Sequence, residues 1–345
     1  MADVRVPAIT FFLVTVHLFL SNAATPSPSP APGPRYIIVD KFGGGDYTRI
    51  QDAIAAVPSN NSGPVDIWVK PGIYNERVIV PANKPFITLI GSIEEKQRVV
   101  ITGKRGGSIK ESATVSVLAS DFVGQDLIIE NTYGRGTQAV ALRVTGDRVS
   151  FYGCRILSFQ DTLFDEAGRH FYSDCLILGA TDFICGNAAS VFERCHVHSI
   201  SPYGGAITAQ QRTSLDEKTG FTFMDCNITG VKSAILGRPW GNYSRVIFAH
   251  TFMSEVILPK GWDDWGDASR QKTAYFGEYD CHGPGSNTRG RVAWSRKLTR
   301  EEVEPFLNKG IIDGSTWIRR PNPTRPFSIG SIRNGSLGQS KEIEQ

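Results

Sequence analysis

The chain has 345 residues, of which 41% are hydrophobic and 21% are charged, so it is long enough and apolar enough to bury a sizeable core. Its formal net charge is only +3. The sequence contains neither a dense block of Lys and Arg nor the ligand spacing of a zinc site, which argues against nucleic acid as a partner. A mild positive charge fits an anionic polymer better.

The first 24 residues are typical of a secretory signal. Arg5 precedes an apolar run from Ala8 to Leu20, and small residues at 21–24 form a cleavage site. The apolar run is too short for a membrane span, and no later segment predicts one. The rest of the chain divides into a Pro/Ser-rich linker (25–35), a folded domain (36–325) and a polar tail (326–345).

A repeat runs through the middle of the folded domain. Four cysteines, separated by 21, 20 and 31 residues, each follow a short run of aromatic and β-branched residues: Cys154, Cys175, Cys195 and Cys226. A period near 20 residues is typical of a solenoid, in which each repeat buries its apolar face against the next. Because the runs read as strands and few helical patterns occur, the sequence predicts an all-β fold, a single-stranded right-handed parallel β-helix.

Two aspartates lie one period apart. Asp161 belongs to the word Gln160-Asp161-Thr162-Leu163, and Asp182 opens the word Asp182-Phe183-Ile184-Cys185-Gly186-Asn187. Strands on neighbouring turns of a β-helix are about 4.8 Å apart, so we expect these carboxylates on adjacent turns. Asp also favours tight turns, and amide ladders stabilise solenoids without any chemistry. The repeat alone therefore leaves a structural and a functional interpretation open.

Taken in order, these words resemble those of the plant pectinesterases (pectin methylesterases). The resemblance covers roughly residues 36–320 and includes further words: Gly45-Asp46-Tyr47-Thr48, Gly72-Ile73-Tyr74-Asn75-Glu76, Gln138-Ala139-Val140-Ala141-Leu142, Gly237-Arg238-Pro239-Trp240, Gly261-Trp262-Asp263-Asp264-Trp265 and Gly277-Glu278-Tyr279. It implies a β-helix with an external active-site cleft that hydrolyses the methyl esters of galacturonate units in cell-wall pectin. The chain is similar to the short type, which has no N-terminal inhibitor-like region.

The resemblance also implies a role for each catalytic position. Asp182 is the nucleophile, Arg238 orients it, and Asp161 is the general acid and then the general base. Gln138 and Gln160 lie 22 residues apart and donate hydrogen bonds to the oxyanion. A guanidinium lowers the pKa of an adjacent carboxyl group by about 1–3 units, whereas a second carboxylate raises it. One carboxylate pair can therefore supply nucleophile and acid, with no metal or cofactor required.

Four further residues are candidates for substrate contact: Thr114, Trp240, Phe183 and Tyr203. Thr114 matches a contact position of the family, and Trp240 offers a flat apolar face to a sugar ring. Cys185 stands where the family has Phe. Strand alternation predicts that Cys185 points away from Asp182, into the core.

Secretion makes the cysteines candidates for disulfide bonds. If Cys154 and Cys175 stack on adjacent turns, their Cα atoms fall within disulfide range, and we predict that they pair. The alternative is a column of buried thiols that behave as small hydrophobic residues. Glycosylation sequons occur at Asn60, Asn227, Asn242 and Asn334.

Other interpretations have different requirements. A polygalacturonase needs two carboxylates flanking a glycosidic bond, and a pectate lyase needs an acidic calcium site with a basic proton abstractor. A non-catalytic pectin-binding relative would not need the five catalytic positions. We therefore expect a secreted, monomeric enzyme of the plant cell wall, with methylated pectin as substrate and a small helical protein as inhibitor.

Overall fold

The computed structural model describes residue 2 and residues 35–92, 94 and 97–319. The predicted polar tail lies outside these residues, as do the signal and the linker except for residues 2 and 35. The described residues from Arg35 to Arg319 belong to one compact unit. Within the described residues, no helix has the length and apolar character needed to cross a membrane.

Short strands dominate the described chain. In order they are β1 (Arg35–Val39), β2 (Val65–Val69), β3 (Gly72–Asn75), β4 (Val78–Val80), β5 (Ile87–Ile90), β6 (Val99–Gly103), β7 (Val115–Val117), β8 (Val123–Gln125), β9 (Ile128–Asn131), β10 (Leu142–Val144), β11 (Val149–Tyr152), β12 (Arg155–Leu157), β13 (Leu163–Asp165), β14 (Arg169–Ser173), β15 (Leu176–Gly179), β16 (Ile184–Gly186), β17 (Ala189–Glu193), β18 (His196–Ser199), β19 (Gly205–Gln210), β20 (Gly220–Met224), β21 (Asn227–Gly230), β22 (Ala234–Pro239), β23 (Arg245–Ala249), β24 (Phe252–Met253), β25 (Tyr275–Tyr279) and β26 (Arg296–Lys297). Three short α-helices accompany them: α1 (Ile50–Ala56), α2 (Arg300–Leu307) and α3 (Gly314–Trp317).

The strands form three parallel sheets around a common core. Sheet A has the order β1-β2-β5-β8-β11-β14-β17-β20-β23-β25-β26, sheet B is β24-β21-β18-β15-β12-β9-β6-β3, and sheet C is β22-β19-β16-β13-β10-β7-β4. Each turn of the solenoid, called a coil here, passes from sheet A to B to C. We call the bends between sheets the AB, BC and CA corners. This arrangement confirms the predicted parallel β-helix.

The repeated aromatic positions stack through the interior. Phe151 pairs in register with Tyr172, which pairs with Phe192, and Phe223 and Phe248 continue the column. Their ring centroids are 5.5, 4.8, 4.5 and 4.5 Å apart, and each stacked pair is within 13° of parallel. Each coil thus buries its aromatic ring between those of its neighbours, which is why the period can be read from the sequence.

The AB corner is a tight bend built on one residue in the left-handed conformation. The same position has φ between 45° and 60° in seven successive coils: Asp126, Gly153, Asp174, Arg194, Asp225, His250 and Asp280. Asp and Gly tolerate this region better than most residues do. The residue that follows the bend points into the interior, and in four of these coils it is one of the repeated cysteines.

The predicted Cys154–Cys175 disulfide is wrong, because both cysteines are free thiols. Cys154 Sγ donates to Tyr152 O at 3.4 Å, and Cys175 Sγ donates to Ser173 O at the same distance. In-register parallel strands keep neighbouring Cβ atoms about 4.8 Å apart with parallel directions, which is wider than the 3.5–4.5 Å that a disulfide needs. The alternative, a column of buried thiols, describes the structure.

Helix α2 covers the outer face of sheet A at its C-terminal end. Thr299 and Glu302 form a reciprocal capping box at its start, which fixes where the helix begins. Val303 and Phe306 then pack on Ile247 and neighbouring residues of sheet A. The outer face of sheet C, by contrast, carries the predicted site.

Candidate active site

The BC corner places the two aspartates side by side. Gln160 and Thr181 form a parallel bridge, so Asp161 and Asp182 follow at equivalent positions on adjacent coils. Both aspartates have a left-handed backbone, with φ of 57° and 48°. Both side chains are largely buried, at 4% and 6% exposed. The adjacency expected from the 21-residue spacing is therefore present.

Arg238 reaches Asp182 across an intervening strand. Its Nε donates to Asp182 Oδ1 at 2.7 Å, and its Nη2 donates to Oδ2, so the guanidinium grips the carboxylate with both donors. In the register of sheet C, Ala209 lies between Cys185 and Arg238. Its methyl group leaves room for the arginine side chain to extend over it.

Trp265 stacks on the flat face of the Arg238 guanidinium, whose N–H edge binds Asp182. Arg238 Cζ lies 3.8 Å from the centroid of the indole ring, a close cation–π contact. The backbone N of Trp265 donates to Asp263 Oδ1 at 2.9 Å, and Asp263 pairs with Lys260. Sequence reasoning missed this role, although the word Gly261-Trp262-Asp263-Asp264-Trp265 contained both tryptophans. Trp262, in contrast, is completely buried.

Burial and charge together keep Asp161 protonated at mildly acidic pH. Desolvation is the main cause that raises the pKa of Asp161, to about 7, and the charge of Asp182 raises it further. Arg238 opposes both effects. The sequence suggested the neighbouring carboxylate as the cause, whereas in the structure burial comes first. The pair therefore contains one carboxyl group suited to donate a proton and one held by a cation.

Gln138 and Gln160 also come together. The backbone N of Ala139 donates to Gln160 O at 3.1 Å, so Gln138 and Gln160 lie on adjacent coils. Further along, Ala141 N and Leu142 N both donate to Thr162 O. This shared acceptor changes the sequence offset between the two coils from 22 to 21 residues. Both glutamine side chains are half-buried. No described residue hydrogen-bonds to either carboxamide, so both remain able to donate to a ligand.

The floor of the site is apolar. Phe164 and Cys185 are in register on β13 and β16 and belong to one buried cluster with Ala209. Trp240 packs on this cluster, with its ring centroid 6.4 Å from that of Phe164. Cys185 therefore lies on the outer face beneath the aspartates, and the prediction that it points into the core is wrong. Phe183 and Ile184 both belong to the interior core, so the simple alternation breaks at the corner.

The four predicted substrate contacts have different outcomes. The prediction that Phe183 contacts substrate is wrong, because its side chain is fully buried inside the coil. Thr114 is 3% exposed, and its hydroxyl donates to Glu130 O at 2.9 Å. Tyr203 is 88% exposed on the BC corner that follows that of Asp182. Trp240 is partly exposed over the floor, so contacts by Trp240, Tyr203 and Thr114 stay predictions.

A Ser, a His and an Asp also meet nearby, but not as a nucleophilic triad. Ser190 and His170 Nδ1 both bond to Asp165, and His170 Nε2 lies 2.8 Å from Gly146 O. The serine therefore bonds to the carboxylate and not to the imidazole. Burial lowers the pKa of His170, but Asp165 outweighs it and the net pKa is raised. All three side chains are inaccessible, so this network stabilises the end of β13.

Three of the four glycosylation candidates lie within the described residues, and one of them, Asn242, is two residues from Trp240. Asn60, Asn227 and Asn242 are exposed, as an acceptor must be. Asn334 lies outside the described residues. Glycosylation at all four stays a prediction.

A parallel β-helix that carries a carboxylate pair, a bidentate arginine and two free carboxamides on its outer face defines the class: a solenoid hydrolase. The family model described as Pectinesterase matches residues 36–315. This chain belongs to the pectinesterase family, whose members are carboxylic ester hydrolases.

Similar proteins cover most of the chain. Putative pectinesterase 11 of Arabidopsis thaliana is 49% identical over 323 residues, which is 90% of this chain and 91% of that protein. Pectinesterase 31 of the same plant is 41% identical and covers 85% of this chain and 95% of its own length. Among solved structures, pectin methylesterase from carrot has a TM-score of 0.80 and 34% identity, covering 88% of this chain and all of that chain.

Replacing Asp161 should stabilise the protein at high pH. The folded state binds the Asp161 proton more tightly than the unfolded chain, since the pKa rises from 3.8 to about 7. This contribution to stability is present below pH 3.8 and is lost as the pH rises through 7. We expect Asp161→Asn to increase the free energy of unfolding at pH 8 by up to about 4 kcal/mol. Asn tolerates the left-handed backbone at this position.

Denaturant unfolding at pH 3.5 and pH 8 measures this difference. Asp182→Asn is the matched control, because it removes a carboxylate that Arg238 already neutralises and should not stabilise the protein at either pH. Equal stability of wild type and Asp161→Asn at pH 8 would show that burial does not oppose ionisation of Asp161.

Proposed function

We propose that this protein hydrolyses the methyl esters of galacturonate units in pectin, releases methanol and leaves de-esterified pectin in the plant cell wall. The observation that carries the residue assignment is the bidentate grip of Arg238 on Asp182 beside the protonated Asp161. The grip orients an ionised carboxylate, and the neighbouring acid supplies the proton that the leaving group needs. Family membership supports pectin as the substrate class.

The reaction begins with attack of Asp182 on the ester carbonyl carbon. A carboxylate oxygen forms the new C–O bond, and the carbonyl oxygen becomes an oxyanion that accepts hydrogen bonds from Gln138 and Gln160. Asp161 gives its proton to the methoxy oxygen as the C–O bond to methanol breaks. The product of this step is an acyl-enzyme anhydride on Asp182.

Water completes the cycle. Asp161, now ionised, takes a proton from water while the hydroxyl oxygen attacks the anhydride. Asp182 leaves as a carboxylate, which Arg238 again holds, and Asp161 is protonated for the next turnover. Because Asp161 must start protonated, turnover falls as the pH rises above about 7.

The apolar floor supports the specificity for a methyl ester. Phe164, Cys185 and Ala209 are almost completely buried, so the apolar surface open to a ligand is that of Trp240, which is partly exposed over them. A methyl group loses water favourably there, whereas the charged product does not. The floor thus favours binding of the ester over binding of its own product.

Methanol release from methylated pectin tests the proposal. We expect methanol to accumulate while the polymer length stays constant. Shortening of the polymer would indicate a glycosidase or lyase, and polymer binding without methanol would indicate the non-catalytic alternative. A pectin methylesterase that is 25% identical to this chain has been solved in complex with a hexasaccharide. A methylated oligosaccharide of similar length is therefore a suitable short substrate for the assay.

The proposed function includes secretion of the protein and binding of a protein inhibitor. Residues 1–24 would direct the chain to the secretory route, and the mature domain would work as a monomer. A small helical pectinesterase inhibitor would bind over the cleft. Trp240 is partly exposed at its edge and would anchor the interface, as aromatic residues often do.

Inhibitor titration measures the role of Trp240. We expect Trp240→Ala to weaken inhibition by a purified inhibitor of that class at least tenfold, a loss of about 1.4 kcal/mol. Phe42→Ala is the control, because Phe42 is 82% exposed on the first coil, away from the cleft. Equal inhibition of wild type and Trp240→Ala would remove Trp240 from the interface.

A further inference from the structure

A cavity lies at the CA corner of the last coils, on the other edge of sheet C from the aspartate pair. Its volume is about 460 Å³. Four cationic residues and two tyrosines line it: Arg212, Arg245, Lys272, Arg296, Tyr243 and Tyr275. No carboxylate is among its lining residues. A concave surface that carries this charge is unusual on a protein whose net charge is only +3.

Arg212 is 5% exposed and has no carboxylate partner in this part of the described chain. Its guanidinium instead donates to the backbone carbonyls of Leu215, Glu217 and Tyr243, at 2.6, 2.8 and 3.2 Å. These carbonyls satisfy its hydrogen bonds without forming an ion pair. Burial lowers the pKa of Arg212, although the charges of Glu217 and Asp216 partly oppose this effect.

Arg245 is half-buried at the base of the cavity, with its Cζ 5.7 Å from the centroid of the Phe306 ring. Its Nε donates to Thr219 O at 2.9 Å, and no described residue accepts a bond from its two terminal amino groups. Burial, and then repulsion from Arg212, lowers the pKa of Arg245 to about 10. An arginine is ordinarily charged at any physiological pH, so this environment is costly for it without a ligand.

Two acidic residues near the cavity are engaged elsewhere. Glu217 accepts hydrogen bonds from Thr213 and Asn187, and Glu302 accepts one from the backbone of Thr299. At the rim, Arg296 stacks on Tyr275 with Cζ 4.7 Å from the ring centroid. Lys272 is exposed beside it. The cavity therefore has one buried and one half-buried arginine at its base, two exposed cations at its rim and aromatic walls.

We propose that this cavity binds the carboxylates of a de-esterified galacturonan segment, at a site separate from the catalytic pair. Guanidinium groups recognise planar carboxylates by paired hydrogen bonds, and tyrosine rings pack against sugar faces. The choice of galacturonan rests on the proposed function, because the proposed reaction generates that polycarboxylate beside the protein. The two sites thus prefer opposite states of the polymer: the apolar floor favours the ester, and the cationic cavity favours the acid.

The two sites are close enough to share one polymer. Trp265, which stacks on Arg238, and Lys272, which lines the cavity, are seven residues apart in one loop. An extended chain of that length spans at most about 25 Å. A polymer held in the cavity by acidic units already formed would present its esterified units to the cleft at high local concentration. The enzyme would then remain on the polymer that it has begun to demethylate.

Calorimetric titration with fully de-esterified trigalacturonate tests the site, because this trimer carries the carboxylates of the product and is not a substrate. We expect two binding events on wild type. Lys272→Gln/Arg296→Gln should weaken one of them by about 25-fold, which is fivefold for each cation or about 1 kcal/mol each. Lys218→Gln/Lys297→Gln is the control: it removes the same charge from exposed residues that do not line the cavity, one of them adjacent to Arg296 on β26.

Three results would overturn the site. The first is that both binding events keep their affinity in Lys272→Gln/Arg296→Gln, and the second is that the control variant loses the same affinity. The third is full displacement of the trimer from the cavity by an equal concentration of inorganic phosphate. Methanol release from a short methyl ester separates this inference from the proposed function, because we expect wild-type turnover in both double variants. A protein that releases no methanol yet loses the second event would fail the proposed function and retain the site.

Discussion

Asp182→Asn should abolish methanol release from methylated pectin. Asn has the same shape as Asp and tolerates the left-handed backbone at this position, where φ is 48°. Its amide is not a nucleophile, so the first C–O bond cannot form. We expect turnover to fall by about 10⁴-fold or more, as removal of a catalytic nucleophile does elsewhere. Methanol release under saturating substrate measures the effect.

Two further measurements make this result specific. Substrate affinity should remain within a few-fold of wild type, because Asp182 binds Arg238 and not the polymer. The β-sheet circular dichroism should be unchanged, although loss of the ion pair lowers thermal stability. Activity above a few per cent of wild type would remove Asp182 from the nucleophilic role and direct attention to Asp161.

Replacing Arg238 by lysine should separate the effect of its charge on turnover from the effect of its planar shape. Lysine keeps the positive charge but has no planar fork, so Arg238→Lys cannot hold both oxygens of Asp182 at once. It also loses the close stacking on Trp265. We expect a fall in kcat of about 10²-fold with KM nearly unchanged, since misorientation of a reacting group costs rate more than binding.

Arg238→Ala should also shift the pH profile. Arg238 lowers the pKa of Asp161, so removal of the guanidinium raises that pKa above about 7 and moves the alkaline limb to higher pH. Profiles of kcat against pH for wild type, Arg238→Lys and Arg238→Ala measure this shift.

The alternative for Arg238 is simple binding of polymer carboxylates. In that case Arg238→Ala would raise KM and leave the pH profile in place. Trp240→Ala is a useful comparison, because Trp240 lies on the same floor and carries no charge. Its profile should keep the wild-type limbs whatever happens to KM.

Much of this protein is determined by a period in its sequence. In a solenoid, residues one period apart become neighbours in space, so the stack of Phe151, Tyr172 and Phe192 follows from the sequence spacing alone. The proximity of Asp161 and Asp182 follows for the same reason. Such positions are predictable because backbone pairing between coils fixes them, whatever the side chains do.

Only the tertiary structure decided how side chains point at the corners. A one-residue left-handed bend at Asp182 places Phe183 and Ile184 together in the interior, which reverses the expected directions of Phe183 and Cys185. The Cys154–Cys175 disulfide failed for a related reason, since parallel strands keep their side chains parallel. Successive side chains point alternately inward and outward along a strand, but this alternation does not continue across a corner.

The electrostatics of the site also needed the tertiary structure. Arg238 is 56 residues from Asp182 in sequence and meets it only because Ala209 leaves the path open and Trp265 closes the other face. The pKa of Asp161 rises chiefly through burial, which depends on everything packed around it. The sequence by itself determined which residues share a coil and which share a column, because those relations are local and periodic. Burial, charge pairing and the direction of each side chain at a corner depend on contacts between distant segments, and these exist only in the folded chain.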